Sequence, residues 1–168
     1  MKYLNIILIA LFVVLAAVTR MVPHPPNFTP ILSIAIFCGL VFKNKYSFFI
    51  PLLAMFMSDM WLGFHNVLFF VYFSFLVIFL IALQFNKSIN FKNITSISLS
   101  SSIVFFIVSN FGVWLIGYPK SLQGLYTCYI AAIPFFHNTI ISTLLFSYAF
   151  LYAYKYLTHN NSVLFRKS

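Results

Sequence analysis

Long apolar stretches, separated by short polar connections, run through the whole chain. Six such segments can be marked, with approximate limits at residues 3–19, 30–43, 47–62, 67–85, 94–117 and 127–156. A helix needs roughly 20 predominantly apolar residues to cross a bilayer, and sustained apolar runs of about that length are typical of membrane spans. The pattern therefore predicts an all-α integral membrane protein, a six-transmembrane-helix bundle that forms a single transmembrane domain over residues 1–168.

The segments differ in length, and this affects the helices we expect. The first three are short, so they should stand nearly upright or be completed by non-helical chain buried inside the bundle. The last is long and contains Pro134. Because proline lacks a backbone N–H and clashes with the preceding turn, we expect a kink there, with the chain before it in a loop or partial turn.

The first segment also has features of a signal peptide. Lys2 precedes its apolar core, and Ala16 and Ala17 lie near its end. However, Arg20 and a proline-rich run follow without an obvious mature soluble domain. A retained helix is therefore the favoured interpretation, and cleavage would not change the orientation of the remaining chain.

Composition excludes a soluble fold. Hydrophobic residues make up 62% of the chain, charged residues make up 7%, and the mean hydropathy is +1.00. Soluble proteins carry about 25% charged residues, so this chain could not cover a water-facing surface. The formal net charge is +9, but the cations are spread singly and in pairs between apolar runs. Without a basic stripe or a recognition motif, no nucleic-acid partner is expected.

The cations indicate an orientation in the lipid bilayer. Arg20 and Lys120 fall in connections on one side of the predicted bundle. The others fall on the opposite side, and they are Lys2, Lys43, Lys45, Lys87, Lys92, Lys155, Arg166 and Lys167. Because Lys and Arg concentrate on the cytoplasmic side of membrane proteins, both termini are predicted to be cytoplasmic.

Most chemically unusual residues fall in the predicted outer connections. The inner loops contain only charged residues and turn formers, whereas the outer ones carry proline, tryptophan, histidine and asparagine at close spacing. The outer connections are RMVPHPPNFTP at residues 20–30, SDMWLGFHN at residues 58–66 and SNFGVWLIGYPK at residues 109–120. This asymmetry indicates a functional site near the outer face.

The first outer connection has a backbone that is strongly restricted by its sequence. Three prolines within four positions favour extended or turn geometry. Asn27 and Thr29 follow, and both are residue types that cap helices. With Pro30 suited to a first helical turn, we expect Asn27 and Thr29 to cap the next helix.

Asp59 is the only acidic residue in the sequence. An ionised carboxylate near the bilayer centre costs about 2.5–3.5 kcal/mol on insertion scales, so one that is kept usually has a partner. One interpretation is structural: an ion pair with Arg20 or Lys120, or a helix cap in the headgroup zone. The other is a role in binding a ligand or a proton.

The aromatic and histidine residues of this region also have two interpretations each. Trp61, Trp114 and Tyr118 fit an interfacial aromatic belt or a stacking surface for a ligand. His24 and His65 fit solvated loop histidines or site residues, and they do not have metal-ligand spacing with each other.

Two further sets of residues lie within apolar runs. His137, next to Asn138, fits a hydrogen-bonded core histidine or a ligand of a metal ion. Cys38 and Cys128 show neither zinc-site nor CxxC spacing. We expect both cysteines to be small core residues without a disulfide.

Several motifs together resemble an uncharacterised family of small bacterial integral membrane proteins with a PHPPNFTP signature. Besides residues 20–30, the resemblance extends over PLLAMFMSD (51–59), LGFH (62–65), SNFGVWL (109–115), YPK (118–120) and YIAAIPFFHNT (129–139). It implies a multi-pass protein of the bacterial inner (cytoplasmic) membrane.

That family is in turn similar to the S components of energy-coupling factor (ECF) transporters, the vitamin-binding subunits of micronutrient importers. The likeness implies an S-component-like bundle that binds substrate near the outer face, under the loops between helices 1–2, 3–4 and 5–6. The sequence contains no ATP-binding P-loop, so ATP-driven uptake would need separate energising membrane and ATPase subunits. One difference is that Ala10, Ala16 and Ala17 lack the four-residue spacing that S components often show.

These features predict a substrate-binding and uptake protein for a small vitamin-like micronutrient, with its ligand pocket near the extracytoplasmic face. The candidate ligand-binding residues are Arg20, His24, Asn27, Asp59, Trp61, His65, Asn110, Trp114, Lys120, His137 and Asn138. The alternative is a membrane assembly or scaffold protein whose outer loops bind a protein partner.

No cofactor, metal ion or catalytic residue is predicted. A lone aspartate with scattered histidines forms neither a zinc-protease motif nor an aspartyl dyad, and no serine nucleophile elbow is present. The chain is therefore not expected to be an enzyme.

Overall fold

The computed structural model describes residues 14–16, 18–42, 45–85 and 89–165, of which 45 and 157–165 are described by their backbone only. Helix α1 covers the described residues 14–16 and 18–21, so most of the first predicted segment lies outside the description. The other helices are α2 (Ile31–Phe37), α3 (Phe49–Leu62), α4 (Leu68–Gln84), α5 (Phe91–Gly117) and α6 (Leu122–Phe165).

The described residues contain no strand, so the all-helical class is confirmed. A π-helical turn, Cys38–Phe42, continues α2, and a 3-10 turn, Lys45–Phe48, leads into α3. Two helices are long and apolar enough to cross a membrane: α5, with 27 residues, and the Leu122–Tyr156 part of α6, with 35. The other described helices are apolar but shorter.

The start of α2 differs from the prediction. Its N-cap is Pro30, and no side chain caps it, so the expected capping by Asn27 or Thr29 is wrong. Asn27 instead has a φ of 63°, a left-handed conformation that asparagine tolerates better than most residues. It forms part of a turn in which the Phe28 N–H donates to the Pro25 carbonyl over 3.0 Å, so the residue reverses the chain.

The course of α6 also differs from the prediction. The chain before Pro134 is helical, and the expected loop or partial turn is absent from this described stretch. The Ser121 hydroxyl accepts the Gly124 N–H over 3.1 Å, so the helix starts at Leu122 with a satisfied first turn. About three helical turns precede Pro134. The helix continues beyond Pro134 although this residue has no backbone N–H to donate to the preceding turn.

Helix α2 lies at the centre of the packing. Every residue of Ile31–Phe37 is buried, and the helix contacts α3, α4, α5 and α6. Ser33 links it to α6, because its hydroxyl donates to the Thr143 carbonyl over 2.9 Å and lies 3.0 Å from the Ser147 hydroxyl. Helix α2 is consequently fixed to α6 by polar contacts as well as by apolar packing.

The π-helical turn approaches α4 closely. A Cβ added to Gly39 would lie 2.6 Å from the Ala82 Cβ and 2.9 Å from the Leu83 nitrogen, so only glycine fits there. The adjacent Cys38 is fully buried, Cys128 is buried on α6, and both thiols are free. The close approach at Gly39 packs the π-helical turn directly on the C-terminal part of α4.

Candidate functional site

Two adjoining pockets lie where the α1–α2, α3–α4 and α5–α6 connections meet, which we call the loop end of the bundle. Their volumes are about 340 Å³ and about 350 Å³. They share five lining residues, and these are Pro26, Asn27, Val67, Val71 and Phe105. Because these residues line both pockets, the two are neighbours, and we refer to the pair as a two-part cleft.

The first part, which we call the aromatic pocket, carries no charged side chain in its lining. Its walls include Phe106, Phe135 and Phe136, together with Tyr118 and several small residues. The rings of Phe106 and Phe136 lie 4.6 Å apart and tilted at 34°. The two rings therefore pack against each other, and together with Phe135 they make this pocket largely apolar.

Polar groups in the aromatic pocket are few. The Asn110 side chain donates to the Phe106 carbonyl over 2.8 Å, which leaves its amide oxygen available as an acceptor. Ser109 and Thr139 also line the pocket, but their hydroxyls donate to the Phe105 and Phe135 carbonyls of their own helices. Asn110 is therefore the residue of α5 whose side chain is best placed to bind a ligand.

The second part, which we call the basic pocket, contains Arg20, His24 and His65 among its lining residues. The His24 Nδ1 lies 2.7 Å from the Val22 carbonyl oxygen. Because a carbonyl only accepts, Nδ1 carries the proton of this bond and Nε2 is left for another partner. The His65 Nδ1 is buried and has no hydrogen-bond partner among the described residues.

Arg20 is anchored to α3 by several contacts. Its Nη1 donates to the Ser58 hydroxyl over 2.7 Å and lies 2.9 Å from the Met55 sulfur. Its Nη2 lies 2.7 Å from Oδ1 of Asp59. This last contact lacks the alignment of a hydrogen bond, so it is an ion pair held by charge.

Asp59 lies behind Arg20 and does not line either pocket. Its side chain is 0% exposed, whereas that of Arg20 is 15% exposed. The Tyr72 hydroxyl on α4 donates to Oδ2 over 2.9 Å. Of the two interpretations of Asp59, the structure contains the ion pair with Arg20. Asp59 was also placed among the candidate ligand-binding residues, but its full burial leaves it to position the Arg20 guanidinium at the pocket wall.

The α1–α2 connection is tied to α6 by two hydrogen bonds. The Asn138 side chain donates to the Pro26 carbonyl over 3.1 Å, and the Ser142 hydroxyl donates to the Asn27 carbonyl over 3.2 Å. Asn138 thus fixes the α1–α2 connection through this hydrogen bond, although it does not itself line either pocket. Asn27 lines both pockets, and its carbonyl is held by Ser142.

Four predicted site residues lie away from the cleft. Trp61 is 76% exposed, and His137 is exposed on α6. Trp114 and Lys120 pair with each other, because the Lys120 Nζ lies 5.4 Å from the Trp114 ring centre and donates to the Trp114 and Leu115 carbonyls. Position on the same predicted face did not bring these side chains into the pockets.

Other residues of the site were missed by sequence reasoning. Tyr72, Ser58 and Met55 all hold the Arg20–Asp59 pair, and Phe105 lines both pockets. The only signal for Tyr72 was a hydroxyl inside an otherwise apolar run, and nothing in its spacing connected it with Asp59.

Within the described residues, no group of three or more His, Cys, Asp or Glu side chains is placed to hold a metal ion.

The fold and the cleft define the class: an all-helical protein with helices apolar enough to cross a membrane and with a two-part pocket at one end. The chain belongs to DUF6580, a family of unknown function whose match covers residues 2–164. No curated protein and no solved structure matches it.

Proposed function

We propose that this chain is a six-helix, S-component-like protein of the bacterial inner membrane that binds a small, vitamin-like micronutrient for uptake. In this proposal both termini are cytoplasmic, and the loop end of the bundle faces outward. The observation that carries it is the two-part cleft. Its walls come from all three connections at that end, as shown by Asn27, His65 and Tyr118.

The size and lining of the cleft support a small-molecule ligand. Ligand pockets typically measure about 300–1,000 Å³ and combine apolar walls with a few placed polar groups. Each part of the cleft reaches the lower end of that range. Asn27 and Asn110 provide amide groups, while Phe106 and Phe136 provide apolar surface, so a ring-containing metabolite would be bound from several sides.

Uptake needs a source of energy that this chain does not encode as a P-loop. We therefore propose that separate energising subunits drive transport, while this protein captures the ligand. The exposed apolar side chains of α5 and α6, such as Ile107, Ile141 and Leu145, would then face lipid or those subunits.

The proposal is tested by purifying the full chain in a mild detergent and identifying co-purifying small molecules by mass spectrometry. Asn110→Ala removes an amide that lines the aromatic pocket, so we expect about tenfold less bound compound. The matched control is Asn66→Ala, in an exposed turn outside both pockets. Equal occupancy in Asn110→Ala and wild type would overturn the site.

The competing function is assembly or scaffolding. It is favoured by one observation: Met60, Trp61 and Phe64 are 66%, 76% and 63% exposed next to one another at the end of α3. This alternative would be supported if a partner protein co-purifies in an amount equal to that of the chain, without any small molecule. The partner should then be lost from the Trp61→Ala variant.

A further inference from the structure

We propose that the ligand of the cleft is amphipathic: a flat apolar or aromatic group occupies the aromatic pocket, and an anionic oxygen group, a carboxylate or a phosphate, occupies the basic pocket. This inference rests on the proposed function, since it names the chemical class that the same cleft would bind. It follows from how charge and unsatisfied polar atoms are divided between the two pockets.

The lining of the basic pocket contains no acidic side chain. Asp59 is the only acid in the sequence, and it pairs with Arg20 and Tyr72 behind the pocket wall. No carboxylate in the lining therefore competes with a ligand for the N–H donors of the pocket. An anionic oxygen is the acceptor that such donors bind most strongly.

Several nitrogen atoms in this pocket are available to such an anion. Arg20 has five N–H donors, and its described contacts involve only Nη1 and Nη2. The His65 Nδ1 is buried without a partner among the described residues. A buried polar atom of this kind is costly unless something binds it, and in the tautomer that carries its proton on Nδ1 it donates to an oxygen atom of a ligand.

The aromatic pocket has the opposite character. None of its lining residues is charged, and the rings of Phe106 and Phe136 pack against each other and add apolar surface to the lining. A free charge placed there would lose its hydration without a partner. An anion is consequently directed to the basic pocket, while the uncharged part of the same molecule remains in the aromatic one.

The inference requires one molecule to reach both pockets, which are neighbours. Val67, Val71 and Phe105 are common to the two linings, as are Pro26 and Asn27. Asn27 is the one polar residue among these five, so it is the shared residue that would bind a polar atom between the ring and the anion. Two linked groups bind more tightly than either alone, because the second binding event becomes intramolecular.

The anion could belong to a soluble acid or to the headgroup of an anionic lipid, and both share the chemistry that Arg20 and His65 recognise. The test uses 2-naphthoate and 2-naphthamide, which have the same ring and shape but differ in charge. Both are titrated into the purified full chain in an uncharged detergent by isothermal calorimetry. We expect 2-naphthoate to bind about tenfold more tightly.

Two variants should abolish that preference: His65→Gln, and the double variant Arg20→Gln/Asp59→Asn, which leaves no unpaired buried charge. The matched control is His137→Gln, because His137 is exposed and outside both pockets. It should keep the tenfold preference. Equal affinity for the two probes in wild type would overturn the inference and leave the proposed function intact.

Absence of binding by both probes, together with no co-purifying compound, would instead overturn the proposed function and this inference with it. A preference that persists in both pocket variants would also overturn the inference.

Vesicles of phosphatidylcholine with phosphatidylglycerol identify the source of the anion. Displacement of 2-naphthoate by these vesicles, but not by pure phosphatidylcholine, would support a lipid headgroup, and no displacement would support a soluble acid.

Discussion

Arg20 and Lys120 are the two cations that the sequence assigns to the outer connections, and the structure uses them in different ways. Arg20 reaches into the bundle, contacts a fully buried carboxylate and still lines a pocket. Lys120 stays on the surface, folds back on the last carbonyls of α5 and covers the Trp114 ring. One cation belongs to a site, and the other completes a helix end.

This difference shows that the partner of a charge matters more than its position along the chain. Asp59 draws Arg20 inward because a buried carboxylate needs an opposite charge. Near Lys120 there is no acid, so its charge is satisfied by carbonyl oxygens, which carry the negative end of the helix dipole. The comparison can be tested by removing each partner in turn.

The largest effect is expected from Arg20→Gln. Removal of the guanidinium leaves the Asp59 carboxylate buried with only Tyr72 as a described partner, and breaking a buried ion pair costs about 3–5 kcal/mol. Reversible unfolding in mixed micelles would measure the change in free energy. Asp59→Asn should cost less, because the Arg20 side chain is 15% exposed and retains contact with water.

The double variant Arg20→Gln/Asp59→Asn serves as the control for this prediction. It removes both charges together, so most of the lost stability should return. If Arg20→Gln unfolds at the same free energy as wild type, the pair contributes nothing, and the distinction between the two outer cations disappears.

An intermediate effect is expected from Tyr72→Phe. This change removes the hydroxyl that donates to Oδ2 of Asp59 over 2.9 Å, and hydrogen bonds to charged groups contribute about 1.5–3 kcal/mol. Thermal unfolding should show the loss, whereas Tyr126→Phe, at an exposed position on α6, should leave the midpoint unchanged. Equal midpoints for both variants would show that Arg20 alone satisfies the carboxylate.

The smallest effect is expected from Lys120→Gln. An exposed cation near a helix C-terminus contributes about 0.3–1 kcal/mol, and a cation above an aromatic ring near the surface adds a similar amount. The unfolding midpoint should fall slightly, and binding of 2-naphthoate should not change, since Lys120 lies outside both pockets. Weaker binding would place Lys120 in the site after all.

The helical part of this architecture was well predicted because the helices follow the long apolar runs of the sequence. The fourth predicted segment, residues 67–85, differs from Leu68–Gln84 by one residue at each end. The start of α5 was predicted three residues late, since polar Asn90 caps it by accepting the Asn93 N–H. Because hydropathy does not detect capping residues, the predicted segments were least accurate at the helix ends.

The site was predicted less completely, because facing the same side of a membrane does not decide which side chains meet. Trp61 and Asp59 are two residues apart on α3, yet one is exposed and the other fully buried. A helix rotates its side chains by about 200° over two residues, so neighbours in a motif can point in opposite directions. Tyr72 joins Asp59 only through the packing of α4 on α3, which no local pattern encodes.

The isolation of Asp59 has a practical consequence for spectroscopy. Apart from the terminal carboxyl group, it is the only carboxylic acid in the sequence, so the infrared stretching bands of a side-chain carboxylate can be assigned to it without isotopic labelling. A molecule that disturbs the Arg20 guanidinium changes the field at Oδ1, 2.7 Å away. The protein thus contains a built-in vibrational reporter whose frequency records events in the neighbouring pocket.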